Sequence, residues 1–597
     1  MSKFRLCFVA VLFIVLCCTA AGCSDDGHKA EKDGGVPDSG AAGDLDVDTD
    51  SDSDTDTDTD ADTDTDADTD TDTDSDTDPV EDAGTDSGGE PAEPDLYGFA
   101  NGCFNVGDDE GRWLVKDAAG DGFKFEELDA AAATPFFMKA SDLATYLFYD
   151  PEGGYLMSED GPLLRATSLE SDITTVDDAY ISGAEWELQA TDPPVGDDPQ
   201  LYNLRHRKTG DFLAAGGLTG VLDDMANLSF EPASGCVDHP ELSLDATGTV
   251  EPRSFDDGAV WGVAETHTHL LTNFGFGGGG IFHGSTFHRL GVEHALPDCT
   301  QFHGVGGKKD VFGYGYDAGG GGLDAMTLLS LLLLGQLSDF NHNTHGYPDF
   351  TVWPHAPSSS THQTQYYIWL KRAWMGGLRL LVQHATTNSV MCEFTVGQGF
   401  QKVRYACNDM VAVDRIIDET YNMERYIDAQ AGGPGKGFFR IVFTPEEARE
   451  AIDEGKLAVI LGIETSNLFD CFSVKRPGFP ECDEDLVVEK LDAYYARGVR
   501  VMFPVHKYDN AFSAGDGNRD FIELGNFINS GHWSNFTLDG CPDVPSPFDK
   551  GDVVFGGLNQ PRDVYKSPPP NNMIGFQANP VLKLTHHLLK IQEGSLQ

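Results

Sequence analysis

Leu457-Ala458-Val459-Ile460-Leu461-Gly462-Ile463-Glu464 decides how the C-terminal half of this chain reads. The run is apolar without interruption and ends on a carboxylate. A strand with one face in water alternates apolar and polar residues, whereas an unbroken run is buried on both faces, as in a parallel sheet covered by helices. The flanking sequence repeats the plan. Upstream, residues 438–443 form another apolar strand, and Thr444-Pro445-Glu446-Glu447 opens a helix with a Thr N-cap, Pro at the first position and Glu completing a capping box. Downstream come a helix over 485–497 and a strand over 499–505. Earlier, a strand over 259–266 precedes a helix over 363–375, where Tyr366, Trp369, Leu370 and Ala373 share one face. A strand over 378–383 and a helix over 410–429 follow. Repeated βα units of this kind predict a (β/α)8 barrel over residues 255–597.

Chemistry collects at the C-terminal ends of strands in such folds. The first strand runs into His267-Thr268-His269, and residues two apart turn to one side as the chain leaves a sheet. Two neutral imidazoles there suit zinc or a similar divalent metal. Glu464 ends the strand quoted above, where a carboxylate can join the same metal or bridge two. His506 follows the strand over 499–505, with Asp509 and Asn510 just beyond. Core packing does not require His, Glu and His at successive strand ends. Each residue alone has a plainer reading, as a loop entry or a helix cap.

Gly498-Val499-Arg500, Phe503-Pro504-Val505-His506 and Asp509-Asn510-Ala511, with Val459 to Glu464, resemble the membrane dipeptidase family of the amidohydrolase superfamily. The resemblance implies a zinc-dependent (β/α)8 barrel, binuclear in an intact member, that cleaves small amides or peptides. It implies metal ligation by His267, His269 and Glu464, catalytic roles for Glu464 and His506, and substrate binding by Asp509 and Asn510. His267-Thr268-His269 departs from the family's His-x-Asp, which leaves metal identity open. The family takes further ligands from later strands. Here residues 579–591 read as a helix and the sequence stops at Gln597, so the barrel is expected to be incomplete. His586 and His587 fall in that helix and read as surface residues.

Residues 95–240 read differently: short strands separated by turns such as Gly120-Asp121-Gly122 and Lys208-Thr209-Gly210-Asp211 predict a small all-β domain, weakly resembling a β-trefoil. No catalytic constellation falls there, so a binding or spacer role is expected. Outside the signal and anchor, Cys103, Cys236, Cys299, Cys392, Cys407, Cys471, Cys482 and Cys541 make an even set, favouring disulfides in an exported protein. Proximity suggests Cys103 with Cys236, Cys392 with Cys407 and Cys471 with Cys482, with the connectivity left open.

The N-terminus sets the expected compartment. Lys3 and Arg5 precede an apolar run over 8–16, too short to span a bilayer, and then Ala20-Ala21-Gly22-Cys23. That order is a secretory signal over 1–22. The step before Cys23 resembles a bacterial lipobox, which implies lipidation at Cys23 and, with Ser24, placement in the outer membrane of the cell envelope. An ordinary signal peptide, cut nearby to release a secreted protein, is the alternative. Residues 23–94 then read as an acidic linker, since Asp alternating with Thr, Ser or Ala offers nothing to bury. This tract carries much of the formal net charge of -60, a balance that argues against nucleic-acid binding. The leading expectation is a surface lipoprotein with a metal-dependent amide or ester hydrolase domain. A non-catalytic surface binding protein with a degenerate barrel and a metallophosphoesterase are the alternatives.

Overall fold

In the computed structural model, three turns of one design organise the N-terminal part of the described chain. Asp108 to Arg112, Asp150 to Gly154 and His206 to Asp211 each fold back between two strands, with Gly111, Gly153 or Gly210 at φ 80°, 81° and 81°. Only glycine adopts that left-handed conformation without steric cost. In the first two turns the opening aspartate accepts the following amides: Arg112 N to Asp108 Oδ1 at 2.8 Å and Gly154 N to Asp150 Oδ1 at 2.9 Å. In the third, Thr209 Oγ1 accepts from Asp211 N at 3.2 Å. The structure describes residues 95–529 apart from 127–128, 171–180, 194–198, 318–329, 331–333, 338–339, 351–360, 396–404, 474, 514, 516–524 and 527–528. All of them belong to one compact unit, Gly88–Gln597.

Around these turns run twelve strands in three consecutive sets of four. The first set is β1 (Cys103–Asp108), β2 (Trp113–Lys116), β3 (Phe123–Glu126) and β4 (Phe136–Asp142). The second is β5 (Thr145–Tyr149), β6 (Tyr155–Met157), β7 (Leu164–Ala166) and β8 (Trp186–Ala190). The third is β9 (Tyr202–His206), β10 (Phe212–Ala214), β11 (Gly217–Thr219) and β12 (Leu228–Pro232). The outer strands of each set pair antiparallel in the ring β1-β12-β9-β8-β5-β4-β1, which closes into a six-stranded barrel. The inner strands form hairpins β2–β3, β6–β7 and β10–β11. Phe136, Met138, Phe148, Trp186, Leu188 and Leu204 fill the barrel. Cys103, at the start of β1, is joined to Cys236, just beyond β12.

The second part is a parallel sheet of β13 (Val263–Thr268), β14 (Leu378–Thr387), β15 (Phe439–Ile441), β16 (Leu457–Thr465) and β17 (Val499–Phe503). Helices α1 (Tyr367–Met375), α2 (Asp409–Gln430), α3 (Pro445–Asp453) and α4 (Glu484–Ala496) precede or join these strands. Their starts are capped as their sequences dictate: Asn408, Thr444 and Asp483 accept from the amides of Val411, Glu447 and Leu486. Cys392–Cys407 and Cys471–Cys482 are also disulfides.

The expected (β/α)8 barrel does not form in the described residues, and the closed barrel among them is the antiparallel one. Closure requires every strand to have two neighbours in a ring. Here β16 is the hub. β14 lies along one edge from Leu380↔Ala458 to Thr387↔Thr465. The other edge is shared by β15, beside Leu457 to Val459, and β17, beside Leu461 to Glu464. β15 therefore does not insert between β14 and β16, as sequential barrel order would require. Among the described residues, β13 pairs with β14 alone, and its Val263 is 64% exposed, as on an open sheet edge.

The two parts share contacts. Arg425 of α2 holds Asp142 of the antiparallel barrel through both carboxylate oxygens, at 2.9 and 2.8 Å. Gln430 at the end of the same helix donates to Ala140 O at 2.6 Å and accepts from Lys139. Burial pushes the Lys139 ammonium down to about 8, partly offset by Glu241.

Candidate metal centre

β13 brings two of the singled-out histidines to one point. Thr268 points to the buried side and donates to Val382 O at 2.9 Å, so strand alternation throws His267 and His269 to the opposite side. Near the end of β16, Glu464 faces the same point. Its Oε2 lies 2.7 Å from His267 Nε2 and 2.8 Å from His269 Nε2, while the two imidazole nitrogens are 3.1 Å apart. One atom from each of the three residues falls within 4.8 Å of the others. Burial opposes ionisation of Glu464, yet the hydrogen bond with His269 and the charges of His506, His269 and His267 outweigh it. Its carboxyl is held down at about 2.

His506 stands on the other oxygen, with Nε2 3.5 Å from Glu464 Oε1. Burial is the main reason its imidazole is pushed down to about 4; Glu464 pulls the other way. The loop that carries it is braced by its own polar groups. Asn510 Nδ2 donates to Pro504 O at 2.6 Å and Ser466 O at 3.0 Å, and its Oδ1 accepts from Phe512 and Ser513 N. Asp509 accepts from Gly515 N at 2.8 Å and from Asn526 Nδ2 at 3.3 Å. Both side chains thus bind the loop around His506.

A fifth residue joins the centre without having been singled out. β14 continues to Thr387 rather than stopping at Gln383, and this places His384 beside His267, with ring centroids 4.7 Å apart. Neither ring nitrogen of His384 makes a hydrogen bond of ordinary geometry, although both are buried. Burial, with His267 adding to it, pushes this imidazole down to about 4. Its space exists because residue 462, directly opposite in the sheet, is glycine: a Cβ there would lie 2.5 Å from His384 Nδ1. Phe503, at the end of β17, packs on both His267 and His384, with centroids 5.1 and 5.2 Å away.

A buried aspartate fixes the chain behind these strand ends. Asp409 Oδ2 accepts from Thr465 Oγ1 at 2.7 Å and from the amide and side chain of Asn467, both at 3.0 Å, while Oδ1 accepts from Ser389 N at 2.7 Å. The start of α2 is thereby bolted to the segments that leave β14 and β16. Cys23, His586 and His587 lie outside the described residues, as does the acidic linker. Among described residues, no helix is long and apolar enough to cross a membrane.

No protein-family model matches this chain, and no curated protein does. Among solved structures, one similarity is to the GlcNAcα1-4Gal-releasing endo-β-galactosidase from Clostridium perfringens, at 14% identity and a TM-score of 0.18 over 22% of this chain and 32% of that one. Another is to the SDF2-like protein from Arabidopsis thaliana, at 14% identity and a TM-score of 0.16 over 22% of this chain and 93% of that one. The chain thus spans about a third of the first protein's length. At these scores neither likeness bears on function.

Proposed function

We propose that this protein is a metal-dependent hydrolase of small amides or esters, held at the cell envelope through Cys23. The convergence of His267, His269 and Glu464 carries this reading: two imidazole nitrogens and a shared carboxylate oxygen meet at the ends of two parallel strands. That donor set fits a divalent ion of the zinc type. The buried imidazole of His384, packed against His267, adds to the fit. His267, His269 and Glu464 would hold the ion, which when bound supplies Lewis-acid chemistry at a carbonyl. The activity also accords with the dipeptidase resemblance of the segments around Glu464 and His506.

The chain's own residues supply the rest. His506, neutral at physiological pH because it is buried, can donate a hydrogen bond to an oxygen that gains negative charge during attack. Phe503 walls one side of the centre beside His267 and His384. The Asp509 and Asn510 hydrogen bonds keep the His506 loop in place, so the donor is oriented before substrate arrives.

The test is a panel of dipeptides, simple esters and phosphoesters offered to the zinc-loaded full chain and to E464Q. Metal-dependent turnover of amides or esters, lowered about 100-fold or more in E464Q, is expected. A folded, zinc-loaded protein that turns over only phosphoesters, or nothing, would overturn the reading.

A further inference from the structure

Between β13 and α1 lies a second group of metal-ligating side chains, separate from the first. Cys299 and His303 sit four residues apart across a short helical turn (Thr300–His303) and so share a face. Backbone hydrogen bonds staple the other contributing segments to them or to their neighbours: Cys299 N to Thr344 O at 3.0 Å, His342 N to Gly306 O at 3.0 Å, and His283 N to Thr361 O at 2.8 Å. One atom from each of Cys299, His303, His342 and His362 falls within 4.8 Å of the others. Cys299 and His303 are each 1% exposed and His362 is 7% exposed. Among the described residues, Cys299 is the cysteine outside the disulfides.

The outward nitrogens define what the inward ones can do. His303 Nε2 is bonded to Gly280 O at 3.2 Å, His342 Nδ1 to Asn343 O at 2.9 Å, and His362 Nδ1 lies 3.3 Å from Thr361 Oγ1. A ring nitrogen facing a carbonyl must donate, so in His303 and His342 the opposite nitrogen carries a lone pair. Those opposite nitrogens turn into the cluster. His362 Nε2 lies 3.4 Å from Cys299 Sγ, and His342 Nε2 and His303 Nδ1 lie 3.3 and 3.6 Å from Asp310 Oδ2. Asp310 is itself held by Thr361 Oγ1 at 2.6 Å. The backbone is shaped around the rings: a Cβ at Gly307 would lie 2.3 Å from His342 Cδ2. Imidazole nitrogens, a thiol and a carboxylate gathered in one buried cluster are the donor types that a zinc-class divalent cation takes up.

We propose that Cys299, His303, His342 and His362 form a second, structural metal site for a zinc-class divalent ion, with Asp310 beside it. One thiolate and three imidazoles make a closed four-ligand set of the structural kind, unlike the open centre at Glu464. The site would pin a segment whose described residues include only short helical turns between β13 and α1.

Sulfur distinguishes this site from the first, whose ligands are nitrogen and oxygen. X-ray absorption of the purified, zinc-loaded full chain should show a sulfur neighbour at about 2.3 Å from zinc. The same signal should persist in E464A and vanish in C299A with the loss of about one ion per chain. Should C299A fail to fold, thiolate-to-metal charge-transfer absorption of the cobalt-substituted wild type gives the same information. Zinc bound with no sulfur neighbour would overturn the proposal. So would a peptide map joining Cys299 to another cysteine, or a folded C299A that keeps all its metal.

Discussion

At the scale of single residues, the first centre depends on a side chain that is absent. Gly462 lies directly opposite His384 in the β14–β16 pairing, and the ring occupies the space a Cβ would need. Gly462→Ala should push the ring aside, lowering metal affinity about 10- to 100-fold. It should also cost roughly 1–3 kcal/mol of stability through overpacking. Zinc titration and urea denaturation measure the two effects, and unchanged affinity would show that His384 plays no part in the centre. His267, His269 and Glu464 were legible in the sequence because their spacing and their position at the ends of apolar runs are visible without a structure. His384 was not. The strand was expected to stop at Gln383, one residue short of His384, whereas Gln383 Oε1 accepts from Leu270 N at 2.7 Å and the strand continues to Thr387. A side-chain hydrogen bond to the segment that leaves β13 holds Gln383 within β14, and apolar patterning carries no trace of it.

At the scale of elements, Asp409 is where a helix and two strand exits are joined. Each of its oxygens accepts from a different segment, and the residue is only 1% exposed. Asp409→Ala would leave buried donors on Thr465, Asn467 and Ser389 unsatisfied, at a cost of about 2–4 kcal/mol. Denaturant midpoints should record this loss, whereas a change below ~0.5 kcal/mol would mean water replaces the carboxylate freely. The helices and the parallel strands were readable from caps and apolar runs; the order of the strands, which leaves the sheet open rather than closed into a ring, was not. Repetition of βα units fixes strand direction, but neighbour order depends on which edges fit. The short β15 takes the outer edge of β16 and leaves the inner one to β14. The antiparallel barrel left a fainter trace, because its repeat lies in three turns of similar shape whose opening residues differ (Asp108, Asp150 and His206).

At the scale of the whole molecule, His239 marks the place where barrel and parallel-sheet part press together. Its ring lies against Tyr149 and Tyr155 of the barrel, with Nε2 3.1 Å from Tyr155 Oη, and against Gly291, where a Cβ would come within 2.6 Å. Burial, reinforced by Lys139, pushes its imidazole down to about 3 from an ordinary value of 6.5. A histidine depressed on folding contributes stability that is present above its unfolded pKa and is lost as pH falls toward the folded one. Between pH 6.5 and about 3, the unfolded chain therefore takes up a proton that the folded chain refuses. His239→Gln should lessen the fall of stability with acid by about 1.4 kcal/mol per pH unit across that window. Urea titrations at several pH values would show it; parallel wild-type and variant curves would mean His239 is protonated in the folded state.

The central claim, that His267, His269 and Glu464 hold a metal, is tested most directly by elemental analysis of the folded full chain beside its E464A variant. The account predicts that the wild type retains zinc after exhaustive dialysis and that E464A loses the part bound at this centre while remaining folded. Equal zinc content in the two folded proteins would contradict it.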